Sequence, residues 1–158
     1  MNQNDLQIID DFLDHHRFSV IRNLIMNTNF PWFFGPVVTG SKFHQSTHCF
    51  YQQDQPTHLF QDIAFMREKL NVRSLVRIKA NLNQRTETIE EHDYHIDYPD
   101  MKTAIFYLNT CDGYTKFKSG EKVNSVANRV VIFNSNLEHH GTSCTNAPAR
   151  VVLNLNYF

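Results

Sequence analysis

The chain is poor in most of the features that would remove it from the ordinary globular proteins. It has only three cysteines, Cys49, Cys111 and Cys144. Their count is odd, their spacing is wide and no C-x-x-C occurs. That argues against a disulfide framework or a zinc knuckle and for a reducing, intracellular setting. No apolar run approaches the roughly 20 residues that a membrane span requires. The opening "MNQNDLQIIDDFLDHH" has no basic stretch leading into an apolar one, so a secretory signal is not expected. Charge of one sign is also missing: 15 Lys and Arg against 16 Asp and Glu leave a net charge of −1. A general nucleic-acid binder needs a basic surplus, so nucleic acid is an unlikely partner, although a local basic groove stays open. Repeats, low-complexity tracts and linkers are absent, and the five glycines and five prolines are scattered. A length of 158 residues suits one domain, 1–158, with one core.

What the chain does have is aromatic side chains and alternating strands. Thirteen Phe, six Tyr and one Trp can fill a β-rich core. "LQII" suits a short first strand. Residues 14 to 28 look helical, with Phe18, Ile21, Leu24 and Ile25 at three-to-four spacing. A second helix is expected from Thr57 to Leu70 on the stripe Leu59, Ile63, Met66 and Leu70. From residue 71 the pattern changes to short strands. "SLVRIKANL" alternates Val76, Ile78, Ala80 and Leu82 with Arg77, Lys79 and Asn81. "KTAIFYLN", "GYTKF" and "NRVVIFNS" are further strand segments. "ARVVLNLNYF" alternates Arg150, Val152, Asn154 and Asn156 with Val151, Leu153, Leu155 and Tyr157. Residues 1–70 therefore read as helical support with flanking strands, and 71–158 as a β-sandwich or small barrel, an α+β chain that is mainly β. The polar faces are rich in Arg, Lys, Asn and His. Such a set fits a wide barrel mouth that holds an anionic ligand better than a solvent-facing sheet. Arg77 and Lys79 either assist that binding or are simply exposed.

The candidate chemistry starts at "EHDYHIDYPDMKTAIFYLN". His95 and Asp97 are two apart, so on a strand both point the same way. The pair alone is weak, because an exposed His beside an exposed Asp is equally ordinary. A third metal-capable residue, His139, follows a buried-type strand 44 residues on, and Arg150 comes 11 residues after it. Two histidines and a carboxylate on one face of a metal leave positions open, the arrangement used by non-haem Fe(II) oxygenases. Arg150 adds a permanent cation with a rigid donor fork. If it points inward it implies an acidic ligand, because a buried arginine without an anion is costly.

With these residues in place, the sequence resembles the 2-oxoglutarate/Fe(II)-dependent oxygenases of the prolyl-4-hydroxylase type, in particular the compact bacterial and phage members. The resemblance runs from about "NFPWFF" to the C-terminus. It is most specific in "RIKANL", "HIDYPDMKTAIFYLNT", "GYTKF", "NRVVIFNSNLEHHGTSCT" and "RVVLNLNYF". It implies a double-stranded β-helix, a distorted jelly roll backed by N-terminal helices. It also implies His95, Asp97 and His139 as iron ligands, and Arg150 with Tyr107 on the distal carboxylate of 2-oxoglutarate. Thr103 shares strand parity with Tyr107, and Asn154 with Arg150, so both are expected at the cosubstrate pocket.

Several neighbours are less determined. His140 adjoins His139 and is expected to be exposed or to touch substrate. His92 belongs on a loop, and segment 83–94 is expected to lie over the site and shape substrate choice. His44 and His48, with equal strand parity, form either a second metal site or a solvated face. Cys144 is near His139 but has no place in the family's ligand pattern. The implied cofactors are Fe(II), 2-oxoglutarate and O2, with ascorbate as a supporting reductant. The implied activity is hydroxylation of a C–H bond, by analogy a prolyl residue of a peptide or protein, or a small molecule. Two alternatives stand beside it: a nucleobase-directed oxygenase with the same cofactors, and a non-catalytic metal-binding jelly roll. The expected location is the cytoplasm of a bacterium or a phage-infected cell.

Overall fold

A computed structural model describes residues 6–35 and 44–158. The first five residues, and Lys42 and Phe43 of "KFHQSTHCFY", lie outside the described residues. Eleven strands and three helices are present among those described. Strand β1 (Leu6–Ile9) precedes helix α1 (His15–Ile25), which Asp14 caps by accepting a 3.0 Å bond from the Arg17 amide. A side-chain acceptor at this position satisfies one of the amides that the first turn leaves open.

The expected helix over 57–70 is two short helices, α2 (Phe60–Ile63) and α3 (Phe65–Lys69). The buried residues are Phe60, Ile63, Met66 and Leu70, which keeps three of the four positions of the expected stripe. The division falls at Ala64, where the chain is closed by i→i+3 bonds, Ala64 N to Gln61 O and Arg67 N to Ala64 O, in place of the α-helical ladder.

The remaining strands are β2 (Phe33–Gly35), β3 (Gln45–Gln52), β4 (Gln55–Pro56), β5 (Leu75–Gln84), β6 (Lys102–Tyr107), β7 (Tyr114–Phe117), β8 (Lys122–Asn124), β9 (Val130–Asn134), β10 (His139–Gly141) and β11 (Ala149–Tyr157). The large sheet runs β1-β9-β6-β11-β5-β3-β2, with β4 on β3, and every pair is antiparallel. The small sheet is β10-β7-β8, and a bridge from His95 to His139 adds one more rung on its β10 side. The four strands β9-β6-β11-β5 thus lie opposite a smaller layer, which is the double-stranded β-helix.

Strand parity divides the large sheet into two faces. Ala104, Phe106, Val130, Leu153, Leu155, Ile78 and Ala80 join the helices in the main core. Ile105, Tyr107, Val131, Phe133 and Val152 point the other way and meet Phe117 and Val123 of the small sheet in a second cluster. Side chains of period two facing two different environments fix the register, because a slip of one residue would exchange the faces. His48 belongs to the main core side. It is buried among Phe30, Phe50 and Phe33, with Nδ1 2.9 Å from Pro31 O. Neither the metal site nor the solvated face considered for it is realised. His44 is exposed and lies beside Phe34.

Phe106 is fully buried between the sheet and the N-terminal segment, with ring centroids 6.0 Å from Phe12 and 6.1 Å from Phe18. Phe106→Ala is expected to destabilise the protein by about 3–5 kcal/mol. Denaturant unfolding measures this; a loss below about 1 kcal/mol would mean that the helices do not pack on β6.

Candidate active site

Between the two sheets a cavity opens to solvent, with an empty volume of ≈ 570 Å³ including its mouth. Its floor is formed by two neighbouring strands. Arg150, Val152 and Asn154 of β11 stand beside Asn83, Asn81 and Lys79 of β5 in register. His92, His95, Asp97, Thr115, His139 and Gly141 close it from the other side.

His95 and Asp97 are not on a regular strand. They lie on a loop held by backbone bonds to β10: His95 N to His139 O and His139 N to His95 O, both 3.0 Å. The two imidazoles are therefore side by side, with centroids 4.9 Å apart. Each Nδ1 lies 3.0 Å from the carbonyl two residues earlier, Asp93 O for His95 and Leu137 O for His139. An Nδ1–H donated there leaves the Nε2 lone pair free. His139 Nε2 is buried without a partner, and burial pushes the His139 pKa down, which keeps the ring neutral. His95 Nε2 is 3.9 Å from Asp97 Oδ1.

Burial opposes ionisation of Asp97. The Arg77 guanidinium, the Asn154 amide and the neighbouring histidines outweigh it and hold the carboxyl far below its ordinary range. Arg77 Nη2 is 2.9 Å from Asp97 Oδ1, an ionic approach with the N–H pointing off the line. Asn154 Nδ2 donates to Oδ2 at 2.8 Å, and Asn156 Nδ2 is 3.5 Å from the same oxygen. With the carboxylate engaged in this way, no three His, Cys, Asp or Glu side chains among the described residues already form a metal cluster. Thr103 is fully buried and is not at the cavity wall. It accepts a 3.1 Å bond from Asn156, which in turn accepts from Arg77 Nε at 3.1 Å. Its place is behind the carboxylate, because β6 parity carries it to Asn156, its register partner on β11.

Arg150 occupies the other end of the cavity. It is 2% exposed, donates from Nε to Ser125 Oγ at 2.8 Å and from Nη2 to Thr115 Oγ1 at 3.0 Å, and lies 5.6 Å from the Tyr107 ring centroid. Tyr107 is buried and donates to Thr115 Oγ1 at 2.9 Å. Among the described residues no carboxylate pairs with Arg150, and burial lowers its pKa from the usual guanidinium value. Two glycines make room for it. A Cβ on Gly113 would be 2.6 Å from Arg150 Cδ and 2.5 Å from Ser143 O, and one on Gly141 would be 3.1 Å from Arg150 Nη1.

Segment 83–94 is less loop-like than the sequence suggests. Strand β5 continues to Gln84, and residues 85–94 are stitched to the stretch after His139. Thr86 N bonds Cys144 O, Ser143 N bonds Glu90 O, and His92 N bonds Gly141 O. This docking buries His140, which is 1% exposed rather than solvent-facing; its ring meets Tyr94 edge-on at 4.6 Å and its Nε2 is 3.8 Å from Glu91 Oε2. His92 is likewise buried and lines the cavity; burial and the Arg150 charge push its pKa down to about 4. Cys144 is buried, with its thiol 3.4 Å from Ala147 O. Thr115, Ser125 and Asn156 are the site neighbours that sequence patterning did not single out, although Thr115 shares inward parity with Phe117; Arg77, expected to assist anion binding or to be exposed, instead pairs with Asp97.

This arrangement of sheets around a polar cavity is the fold of the 2-oxoglutarate/Fe(II) oxygenases. The chain is similar to a prolyl hydroxylase from Trichoplax adhaerens, solved in complex with a hypoxia inducible factor oxygen degradation domain peptide fragment. That match has 14% identity and a TM-score of 0.71, and covers 99% of this chain and 84% of that one. A Pseudomonas putida prolyl-4-hydroxylase matches with 15% identity and a TM-score of 0.69, over 98% of this chain and 93% of that one. A 2OG-Fe(II) oxygenase family oxidoreductase from Burkholderia pseudomallei matches with 11% identity and a TM-score of 0.75, over 98% and 85%. At such identities the likeness defines the fold. No family model matches the chain, and no curated protein matches it in sequence.

A buried cation without a carboxylate is a strain on the ligand-free protein. Replacing it by an apolar side chain of similar length relieves that strain. Arg150→Met is expected to leave the ligand-free fold as stable or more stable, by up to about 2 kcal/mol. Thermal unfolding in ligand-free buffer measures this. A loss above about 3 kcal/mol would mean that Arg150 serves the fold rather than a ligand.

Proposed function

We propose that this chain is a non-haem Fe(II)- and 2-oxoglutarate-dependent oxygenase that hydroxylates a C–H bond, acting as one catalytic domain over residues 1–158 in the cytoplasm. The observation that carries the reading is Arg150, a buried cation that pairs with no carboxylate among the described residues and faces the same cavity as His95 and His139, the latter with a buried, unpartnered Nε2. The donor set fits the metal. Two imidazole nitrogens and one ionised carboxylate suit Fe(II), and the orphaned His139 Nε2 is a buried acceptor that only a metal or a proton donor can satisfy. Asp97 Oδ2 accepts from Asn154, while Oδ1 lies 2.9 Å from Arg77 Nη2 and 3.9 Å from His95 Nε2, so Asp97 would join the two histidines in holding a metal.

His95, Asp97 and His139 are the residues that hold iron. The Nδ1–H bonds of the two histidines fix their tautomer and aim. Arg150, supported by Ser125, Thr115 and Tyr107, grips the far carboxylate of 2-oxoglutarate through charge-assisted hydrogen bonds. Asn154 orients Asp97, and Thr103 acts through Asn156 on the same carboxylate. Bound iron supplies the activation of O2. The reaction is R–H + O2 + 2-oxoglutarate → R–OH + succinate + CO2. One oxygen atom enters the product and the other enters succinate; the C–H bond and the decarboxylation each supply two electrons. No general base from the protein is required. A prolyl residue of a peptide is the substrate that analogy offers, supported by the peptide complex of the Trichoplax neighbour.

Succinate formation from 2-oxoglutarate with Fe(II), ascorbate and O2 tests this reading. The wild-type protein is expected to form succinate slowly without substrate. Asp97→Ala is expected to abolish turnover. Arg150→Met is expected to raise the 2-oxoglutarate requirement roughly 100-fold, the equivalent of about 3 kcal/mol for one lost partner of a buried charge pair. Full turnover by Asp97→Ala with intact iron content would remove that residue from the metal.

A further inference from the structure

The cavity holds more polar functionality than iron and 2-oxoglutarate use. Lys79 lies half-buried on its floor, on the same strand face as Asn81 and in register opposite Asn154 of β11. Lys79 forms neither an ion pair nor a hydrogen bond among the described residues. Burial first, and then the Arg77 charge, lower its pKa, so a carboxylate that reached it would be strongly held. Beside it are two acceptors without donors. Asn154 is 6% exposed and its Oδ1 is buried and unpartnered. The amide cannot rotate to hide this, because its Nδ2 is committed to Asp97. Asn81, 9% exposed, also has a buried Oδ1 with no partner. Buried polar groups left unpaired cost free energy, so a cation and two bare acceptors side by side imply a ligand that brings an anion and N–H donors together.

We propose that the substrate is a free α-amino acid, with its carboxylate on Lys79 and its ammonium group on the side-chain oxygens of Asn154 and Asn81. The inference rests on the oxygenase reading for the reaction, but the binding site stands on these three residues alone. It also selects among substrate sizes. A residue inside a peptide has neither charge, so an internal prolyl leaves Lys79 and both amide oxygens unsatisfied. The hydroxylated atom belongs to the amino acid's side chain, and the stoichiometry is that given above.

The test measures binding and turnover separately. The twenty L-amino acids are titrated singly by calorimetry into anaerobic protein loaded with Fe(II) and 2-oxoglutarate. Their N-acetyl and carboxamide derivatives and a proline-rich peptide with blocked ends are titrated in parallel. At least one free amino acid is expected to bind, and blocking either of its ends is expected to weaken it tenfold or more. Lys79→Met is expected to raise that amino acid's Kd at least tenfold and the 2-oxoglutarate Kd less than twofold. Asn154→Asp is a poorer probe, since it also disturbs Asp97, so Asn81→Leu is the second variant, with a loss of at least fivefold expected for the free amino acid and less for its N-acetyl form. Binding only of the blocked peptide would overturn the proposal. So would a Lys79→Met variant whose main loss is 2-oxoglutarate affinity. Aerobic succinate formation then separates the two readings. Amino-acid binding that Lys79→Met weakens, without succinate from any mixture, would uphold this site and overturn the oxygenase reading. Substrate-free succinate formation without amino-acid binding would do the reverse.

Discussion

The register of β11 is the constraint on which the rest of the structure depends. This strand is paired on both sides, with β5 and with β6, and its odd residues Val151, Leu153, Leu155 and Tyr157 enter the main core. Its even residues Arg150, Val152, Asn154 and Asn156 face the other way. A slip of one position would place a guanidinium and two amides among the helices and expose four apolar side chains to the cavity. The penalty for burying those polar groups unpaired is several kcal/mol in total, comparable to the whole stability of a domain. Packing against the helices therefore fixes, to the residue, which polar groups reach the site. The apolar face is what aims the polar one.

That dependence explains which parts were legible in the sequence. "ARVVLNLNYF" and "SLVRIKANL" show their two faces directly, because adjacent residues differ sharply in polarity. From those strands the polar, cationic cavity wall could be anticipated, including Arg150 and Asn154. The helix expected over 57–70 and the two short helices bury much the same stripe, Ile63, Met66 and Leu70, so the stripe alone does not show the i→i+3 joint at Ala64 that divides them. Buried His140 and His92 were illegible for a different reason. Their burial comes from residues 85–94 docking beside 141–144, and nothing local in "IEEHDY" or "EHHGTS" records a partner fifty residues away. The same holds for Arg77, whose pairing with Asp97 exists only once β5 and the 95–97 loop are assembled. Thr103 had the correct parity, yet its hydroxyl is consumed by Asn156 before it can reach the cavity.

The histidines show how a loop can be as exact as a strand. His95 is outside regular structure, but it exchanges two backbone bonds with His139 and spends its Nδ1 on Asp93. His139 repeats the device with Leu137. Each ring is thus held at its backbone and at one nitrogen, which leaves only the other nitrogen to do chemistry. Pre-organisation of this kind reduces what a ligand must order on arrival. It differs from the treatment of Asp97, whose Oδ2 accepts from Asn154 and whose Oδ1 is paired with the Arg77 charge.

Charge accounts for that difference. A neutral imidazole such as that of His139 can wait in a cavity without a counter-ion, but a buried carboxylate cannot. Arg77 neutralises Asp97 in the ligand-free protein and keeps it ionised, ready for a metal. Among the described residues Arg150 and Lys79 then remain as two cations without a paired carboxylate, in a molecule whose net charge is only −1. The cavity is a local positive well within a nearly neutral protein, and low-dielectric walls strengthen such a field. A substrate carboxylate at Lys79 would offset part of it, and a dicarboxylate held at Arg150 another part. Its binding in turn lowers the electrostatic cost of bringing a divalent metal next to Arg77. Metal and dicarboxylate are therefore expected to favour each other's binding, since each relieves the charge that the other leaves. Arg77 takes part in this coupling because it stands 2.9 Å from the carboxylate that the metal needs.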